Sequence, residues 1–300
     1  MFQLFANNLL PVFLAAGAGY LISARGKIDP KPVAHIAFCV FAPCLIYRIV
    51  VDNQITGSAM ARTAGFTAAS LLILSGIALL VARRMHWPRP LTAAVVLTVL
   101  LPNAGNFGLS ANLFAFGSAG LAEASLYFIT AAILSYTAGV FVASLGRASM
   151  RDALLGLLRV PPIWAVLFAF VMVRFEAALP LPVDRVVTLL ADACIPTLLI
   201  VLGMQLHGAT WRGRFAPLAW TVGLRLVGGA ALALVLVGVF GLEGPARQAG
   251  VLQSAMPSAV ITIILATQYD VEPGFVTSAV FVSTILSPLT LTPLLAYLGA

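Results

Sequence analysis

The stretch "LLPNAGNFGLSANLFAFG", residues 100–117, decides how the rest of the chain is read. It lies in an uncharged run between Arg89 and Glu123, yet it carries one proline, three asparagines and three glycines. A run of that length exceeds the roughly 20 residues that cross a bilayer core, so it reads as a membrane span. Proline at position 102 removes a backbone donor and clashes with the carbonyl four residues earlier, so the helix breaks or kinks there. Gly105 and Gly108 make the backbone that follows permissive. At membrane depth such irregular backbone is tolerated only inside protein or along a water-filled cavity. A second half-helix starting near Asn106 then aims free N–H groups and a positive dipole end at that cavity.

Composition sets the class. Of 300 residues, 61% are hydrophobic and 9% are charged, against roughly 25% charged in soluble domains. Uncharged runs also extend from Glu123 to Arg147, from Arg247 to Asp270, and from Glu272 to the C-terminus. The expected fold is therefore an all-α polytopic membrane protein. The net charge of +7 comes from basic residues scattered singly between apolar runs, not from a basic stripe with interleaved aromatics, which argues against nucleic-acid binding. Cys39, Cys44 and Cys194 fall within apolar spans and offer neither metal spacing nor a disulfide framework. No H-E-x-x-H or clustered His/Asp/Cys set is present, so neither an enzyme nor a cofactor is expected. The N-terminal "MFQLFANNLLPVF" lacks the positive region of a signal peptide and reads as a first span.

Apolar runs between charges give ten transmembrane helices, at 4–24, 31–51, 63–82, 91–116, 122–146, 155–173, 184–206, 216–240, 246–268 and 274–298. Loops after odd-numbered spans hold eleven basic residues: Arg25, Lys27, Lys31, Arg83, Arg84, Arg89, Arg147, Arg151, Arg159, Arg212 and Arg214. The other side holds five: Arg48, Arg62, Arg174, Arg185 and Arg247. The positive-inside rule then puts both termini outside a cell membrane, in a bacterium the inner one.

The two halves echo each other. Pro11, Pro43 and Pro102 are matched by Pro161, Pro196 and Pro257 at offsets of 150, 153 and 155 residues, and "LPNA" at 101–104 by "MPSA" at 256–259. Five spans per half is odd, so residues 151–300 form a repeat inverted relative to residues 1–150, with the broken fourth and ninth helices crossing. Inverted repeats with interrupted helices in matching positions point to a secondary transporter and to its binding site. Pro102, Asn103, Asn106 and Gly108 form one arm of the expected substrate site, and Gln253, Ser254, Pro257 and Ser258 the other; helix N-termini with amides suit a carboxylate. Asn7, Asn8 and Asn112 either line the same cavity or sit near interfaces. Two charges fall inside spans, Asp192 and Arg225. They read either as a coupling acid and an anion attractor, or as an ion pair between helices. His35, His86 and His207 are expected at interfaces.

On these residues the chain resembles the auxin efflux carrier family, which includes plant auxin exporters and bacterial malonate carriers. "LLPVFLAAGAGYLI" is similar to that family's first span, "LPNAGNFGLSANLFAFG" to its broken fourth, and "MPSAVITIILATQYDVEP" to the ninth span and following loop of the plant members. The resemblance runs the whole length. It implies ten helices in a scaffold and a transport domain, related to the bile acid:sodium symporter architecture, with substrate at the crossover and elevator-like alternating access. Pro102, Asn103 and Gly108 match the family's fourth-span crossover and Pro257 the ninth. Ser110 stands where the family commonly has a second proline, and Thr262 where plant members place theirs in the ninth span. The long cytoplasmic loop of the plant exporters is missing, which argues against auxin itself as substrate.

The expectation is a secondary transporter of small organic anions, mono- or dicarboxylates, in a lipid bilayer. The alternatives are a channel or a sodium-coupled symporter of a larger amphipathic anion. Coupling to protons, to sodium or to neither is left open, as is assembly as a homodimer.

Overall fold

A computed structural model describes residues 1–26, 28–52, 57–144, 160–207 and 214–300. Lys27, Arg147, Arg151, Arg159 and Arg212, the start of the expected sixth span and the boundary between the halves lie outside the described residues. The described chain is helical: α1 (Phe2–Gly26), α2 (Pro30–Asp52), α3 (Gly57–Arg84), α4 (Arg89–Leu100), α5 (Ala104–Ala143), α6 (Pro161–Arg174), α7 (Leu181–His207), α8 (Phe215–Val239), α9 (Gly244–Ser254), α10 (Ile261–Gln268) and α11 (Pro273–Leu298). Seven of these, α1, α2, α3, α5, α7, α8 and α11, are long and apolar enough to cross a membrane.

The ends follow from local sequence. Asp29 caps α2, its side chain accepting from the Lys31 N–H at 3.0 Å, with Pro30 in the first turn where its missing donor costs nothing. Within spans, hydroxyls bond back to the preceding turn: Thr67 to Thr63, Ser75 to Leu71, Thr98 to Ala94, Thr221 to Pro217. This removes the cost of an unpaired hydroxyl in an apolar surrounding.

The structure departs from the expected spans in instructive places. The expected fourth span is two pieces, α4 and the first part of α5, with the chain out of helix at 101–103. The rest of α5 replaces the expected fifth span, joined through Gly117, whose φ of 64° and ψ of −156° only glycine adopts cheaply. The expected ninth span is likewise α9 and α10 around a non-helical 255–260. Pro196, by contrast, sits inside the continuous α7. Pro11 and Pro43 likewise lie within helices, whereas Pro102 and Pro257 interrupt theirs.

Packing sorts the helices into two groups. In one, α7 lies against α1 and α2, and α6 lies against α2. The approach is close: a Cβ at Gly203 would strike the Ala16 carbonyl, and one at Gly19 the Ile200 carbonyl. Small residues that let backbones touch are the usual basis of helix association in membranes. In the other group, α5 packs on α3 and α9, α8 on α3 and α9, and α11 on α4, α8 and α10. The groups meet chiefly where the start of α5 lies against α7 and α1, with Phe13 and Phe107 edge to face at 5.7 Å.

Candidate functional site at the paired helix breaks

Each break frees backbone groups that a straight helix would have satisfied, and here they satisfy one another. The Asn103 N–H donates to the Pro257 carbonyl at 2.7 Å, and the Ala259 N–H to the Leu101 carbonyl at 2.8 Å. Pro102 and Ser258 thus face each other in an antiparallel bridge. Two prolines, neither with an N–H to offer, are tolerated because each supplies only a carbonyl or a turn to this exchange.

Side chains finish the first arm. Asn103 caps the start of α5, its Oδ1 accepting from the Phe107 N–H at 3.4 Å, while its Nδ2 is buried without a partner. Gln253, on the last turn of α9, reaches across and donates from Nε2 to the Ala104 and Ala124 carbonyls, both at 3.1 Å. Gly108 makes room for it, since a Cβ there would collide with the Gln253 amide oxygen. Ser254 is fully buried against the hydroxyls of Tyr127 (3.2 Å) and Ser70 (3.3 Å). The Ser258 N–H donates to Ser283 Oγ on α11 at 3.2 Å, and the Ser258 hydroxyl is buried without a partner.

A cavity of about 320 Å³ opens beside the bridge, between the two helix groups. From the first break it is lined by Pro102, Asn103 and Asn106, and from the second by Ala259, Val260, Ile261 and Ile264. Opposite stand Leu198, Val201 and Gln205 of α7, with Lys31, His35 and Phe38 of α2. Asn106 Nδ2 donates to Gln205 Oε1 at 3.5 Å across the gap. The sequence-predicted set therefore divides. Pro102, Asn103 and Asn106 line the cavity; Gly108, Gln253, Ser254, Pro257 and Ser258 brace the arms behind it. Of the other asparagines, Asn8 and Asn112 bond back along their own helices, and none of Asn7, Asn8 and Asn112 lines the cavity.

The matched region of known families now bears on this geometry. Residues 144–295 match the family model described as "Membrane transport protein". The chain belongs to that family. An "Uncharacterized transporter" of Methanothermobacter thermautotrophicus is 25% identical over 290 residues, 95% of either chain. "Auxin efflux carrier component 7" of Arabidopsis thaliana is 25% identical over 129 residues, 42% of this chain and 21% of the plant protein. A "Putative malonate transporter" of Rhizobium meliloti is 26% identical over 201 residues, 64% of this chain and 63% of the relative. The resemblance to auxin efflux carriers holds, and this member of the membrane transport protein family is a multi-pass membrane transporter, not an enzyme.

For this family member, three readings of the sequence change. Asp192 and Arg225 form no ion pair: Asp192 is exposed on α7, off the face carrying Leu198, Val201 and Gln205, whereas Arg225 is wholly buried on α8. Arg225 does not line the cavity either; its Nη1 donates to the Val99 carbonyl at 2.6 Å and its Nη2 to the Ser254 carbonyl. His35, expected at an interface, lines the cavity and touches Cys39, one turn on, at 3.7 Å. Gln205, Ser135 and Tyr136, which also line it, were not singled out by the sequence, because they lie toward the ends of long apolar helices with no proline beside them to mark a break.

Proposed function

We propose that the chain is a secondary carrier of small organic anions, mono- or dicarboxylates, held at the paired breaks and moved by an elevator-like displacement of one helix group against the other. The observation that carries this reading is the Pro102–Ser258 bridge standing beside a cavity that Asn103 and Asn106 enter. Free N–H groups at the start of α5, with two amides, favour a carboxylate. The cavity lies between two groups of helices that each pack internally, which is the arrangement alternating access uses. A relative named for malonate and others named for auxin are consistent with an anionic cargo.

In this reading the split helices each count as one crossing, giving ten spans as two inverted repeats, 1–150 and 151–300. The cavity is lined by Lys31 and His35 at the start of α2, by Ser135 and Tyr136 toward the end of α5 and by Gln205 toward the end of α7, on the side whose loops carry the excess of Lys and Arg. It therefore faces the cytoplasm, with both termini outside. The bridge closes the path at mid-depth, which disfavours a channel. The apolar wall of Val201, Val260, Ile261 and Ile264 favours a second reading, a larger amphipathic carboxylate, over the smallest dicarboxylates.

The test is thermal stabilisation of the purified protein by malonate and by a series of monocarboxylates of growing apolar length, followed by exchange in proteoliposomes. A ligand that binds only the folded state raises the melting temperature by mass action. Asn103→Ala is expected to cut exchange at least about tenfold, the scale of one hydrogen bond to a charged group, with membrane insertion unchanged. Full exchange by Asn103→Ala would sink the assignment.

A further inference from the structure

Among the described residues Arg225 has the largest fully buried side chain, and its partners are unusual. Val99 lies in the last turn of α4 and Ser254 is the last residue of α9, so both acceptors are carbonyls at the C-terminal ends of the two interrupted helices. Such carbonyls have no partner within their own helix. Each helix end also carries about half a negative elementary charge, so two of them meeting sum to about one, which a single guanidinium balances. Gly229, one turn beyond Arg225, permits the approach: a Cβ there would strike the Ser254 carbonyl and lie 2.8 Å from Arg225 Nη2. The Tyr127 hydroxyl bonds to Ser254 Oγ beside it, and among the described residues no carboxylate contacts the guanidinium.

In transporters with broken helices, the C-terminal ends of half-helices are where a coupling sodium or proton is held. We infer that Arg225 is a built-in cation occupying that place, so that the crossover is assembled for an anion without a sodium ion binding first. The inference rests on the carrier reading above and deepens it by fixing the coupling: this carrier runs without sodium. A mobile ion at this point binds and leaves during the cycle, and so ties substrate affinity to its own concentration. A tethered guanidinium holds the two helix ends together in every state and leaves a second cation facing like charge. Arg225 is thus a positioning residue: it acts on substrate through the carbonyl ends of α4 and α9, whose following residues form the bridge.

The experiment compares wild type, Arg225→Lys and Arg225→Gln in detergent, with sodium replaced by choline at constant ionic strength. The wild-type melting temperature is expected to be the same in both salts, and Arg225→Lys to behave alike. Arg225→Gln is expected to melt lower and to regain stability in sodium or in millimolar methylguanidinium, a response that a merely space-filling arginine would not leave behind. In proteoliposomes, wild-type exchange of malonate is expected to differ by less than about twofold between sodium and choline, since no sodium site is there to shift the equilibrium. A sodium-specific rise in the wild-type melting temperature overturns the inference, as does an Arg225→Gln protein with wild-type stability. Should Arg225→Gln fail to insert, the wild-type and Arg225→Lys arms decide. Absence of malonate exchange in every salt counts against the dicarboxylate reading alone, because the melting response to sodium is read without a substrate.

Discussion

The two breaks do the same backbone work with opposite side-chain chemistry. Around Pro102 the chain brings Asn103 as a cap and Asn106 into the cavity; around Pro257 it brings Ala259, Val260 and Ile261, and the helix start at Val260 has no side-chain cap. Just beyond each break a hydroxyl bonds back to a backbone carbonyl: Ser110 to Asn106 at 3.4 Å, Thr262 to Ala259 at 2.5 Å. Pro102 and Pro257 thus share a backbone arrangement, and the difference between the arms lies in the residues beside them. In the proposed carrier, one arm would offer hydrogen bonds to an anionic head and the other an apolar wall to the body that follows.

Making the arms alike is the sharpest way to break this contrast. Asn103→Ala, which strips the first arm of its cap and of one of its two amides, carries the largest expected effect, the loss of exchange described above. Gln253→Leu comes next, because it removes both hydrogen bonds that tie the last turn of α9 to α5. We expect it to destabilise the protein by about 1–3 kcal/mol, the worth of two hydrogen bonds at about 0.5–1.5 kcal/mol each, read as a lower melting temperature. Val260→Asn, which gives the second arm an amide, should weaken binding of long-chain monocarboxylates a few-fold, by about the worth of one buried methyl-scale contact, and leave malonate binding nearly untouched. Equal weakening of both in a ligand melting series would remove the head-and-body assignment. Asp192→Asn marks the small end: exposed and away from the cavity, it should leave flux driven by a pH gradient unchanged.

Much of the skeleton was legible in the sequence because bilayer thickness and proline chemistry are strict. Runs without charge announce the long spans, and a proline followed by asparagine and glycines announces a break. What could not be read is the pairing through backbone atoms. Nothing in "LPNA" or "MPSA" states that the Asn103 N–H meets the Pro257 carbonyl. Arg225 looked like an ionisable group seeking an acid, because carbonyl acceptors are the same at every position and leave no trace in composition. Gln253 is polar in the right place for a ligand contact, yet its Nε2 is spent on carbonyls of α5, and its Oε1 is buried without a partner. Pro196 shows the converse: a proline alone does not end a membrane helix unless the freed groups find other partners, as they do at 102 and 257.

The bridge between Pro102 and Ser258 has a mechanical meaning beyond its two hydrogen bonds. Residues far apart in the chain are pinned at one point, so neither break can travel without the other. The pair behaves as a single pivot with one path of motion rather than two independent flaps. In the proposed carrier, a cargo resting against one side of that pivot would be carried by both halves of the chain at once, and displacing one arm alone would break both hydrogen bonds of the bridge.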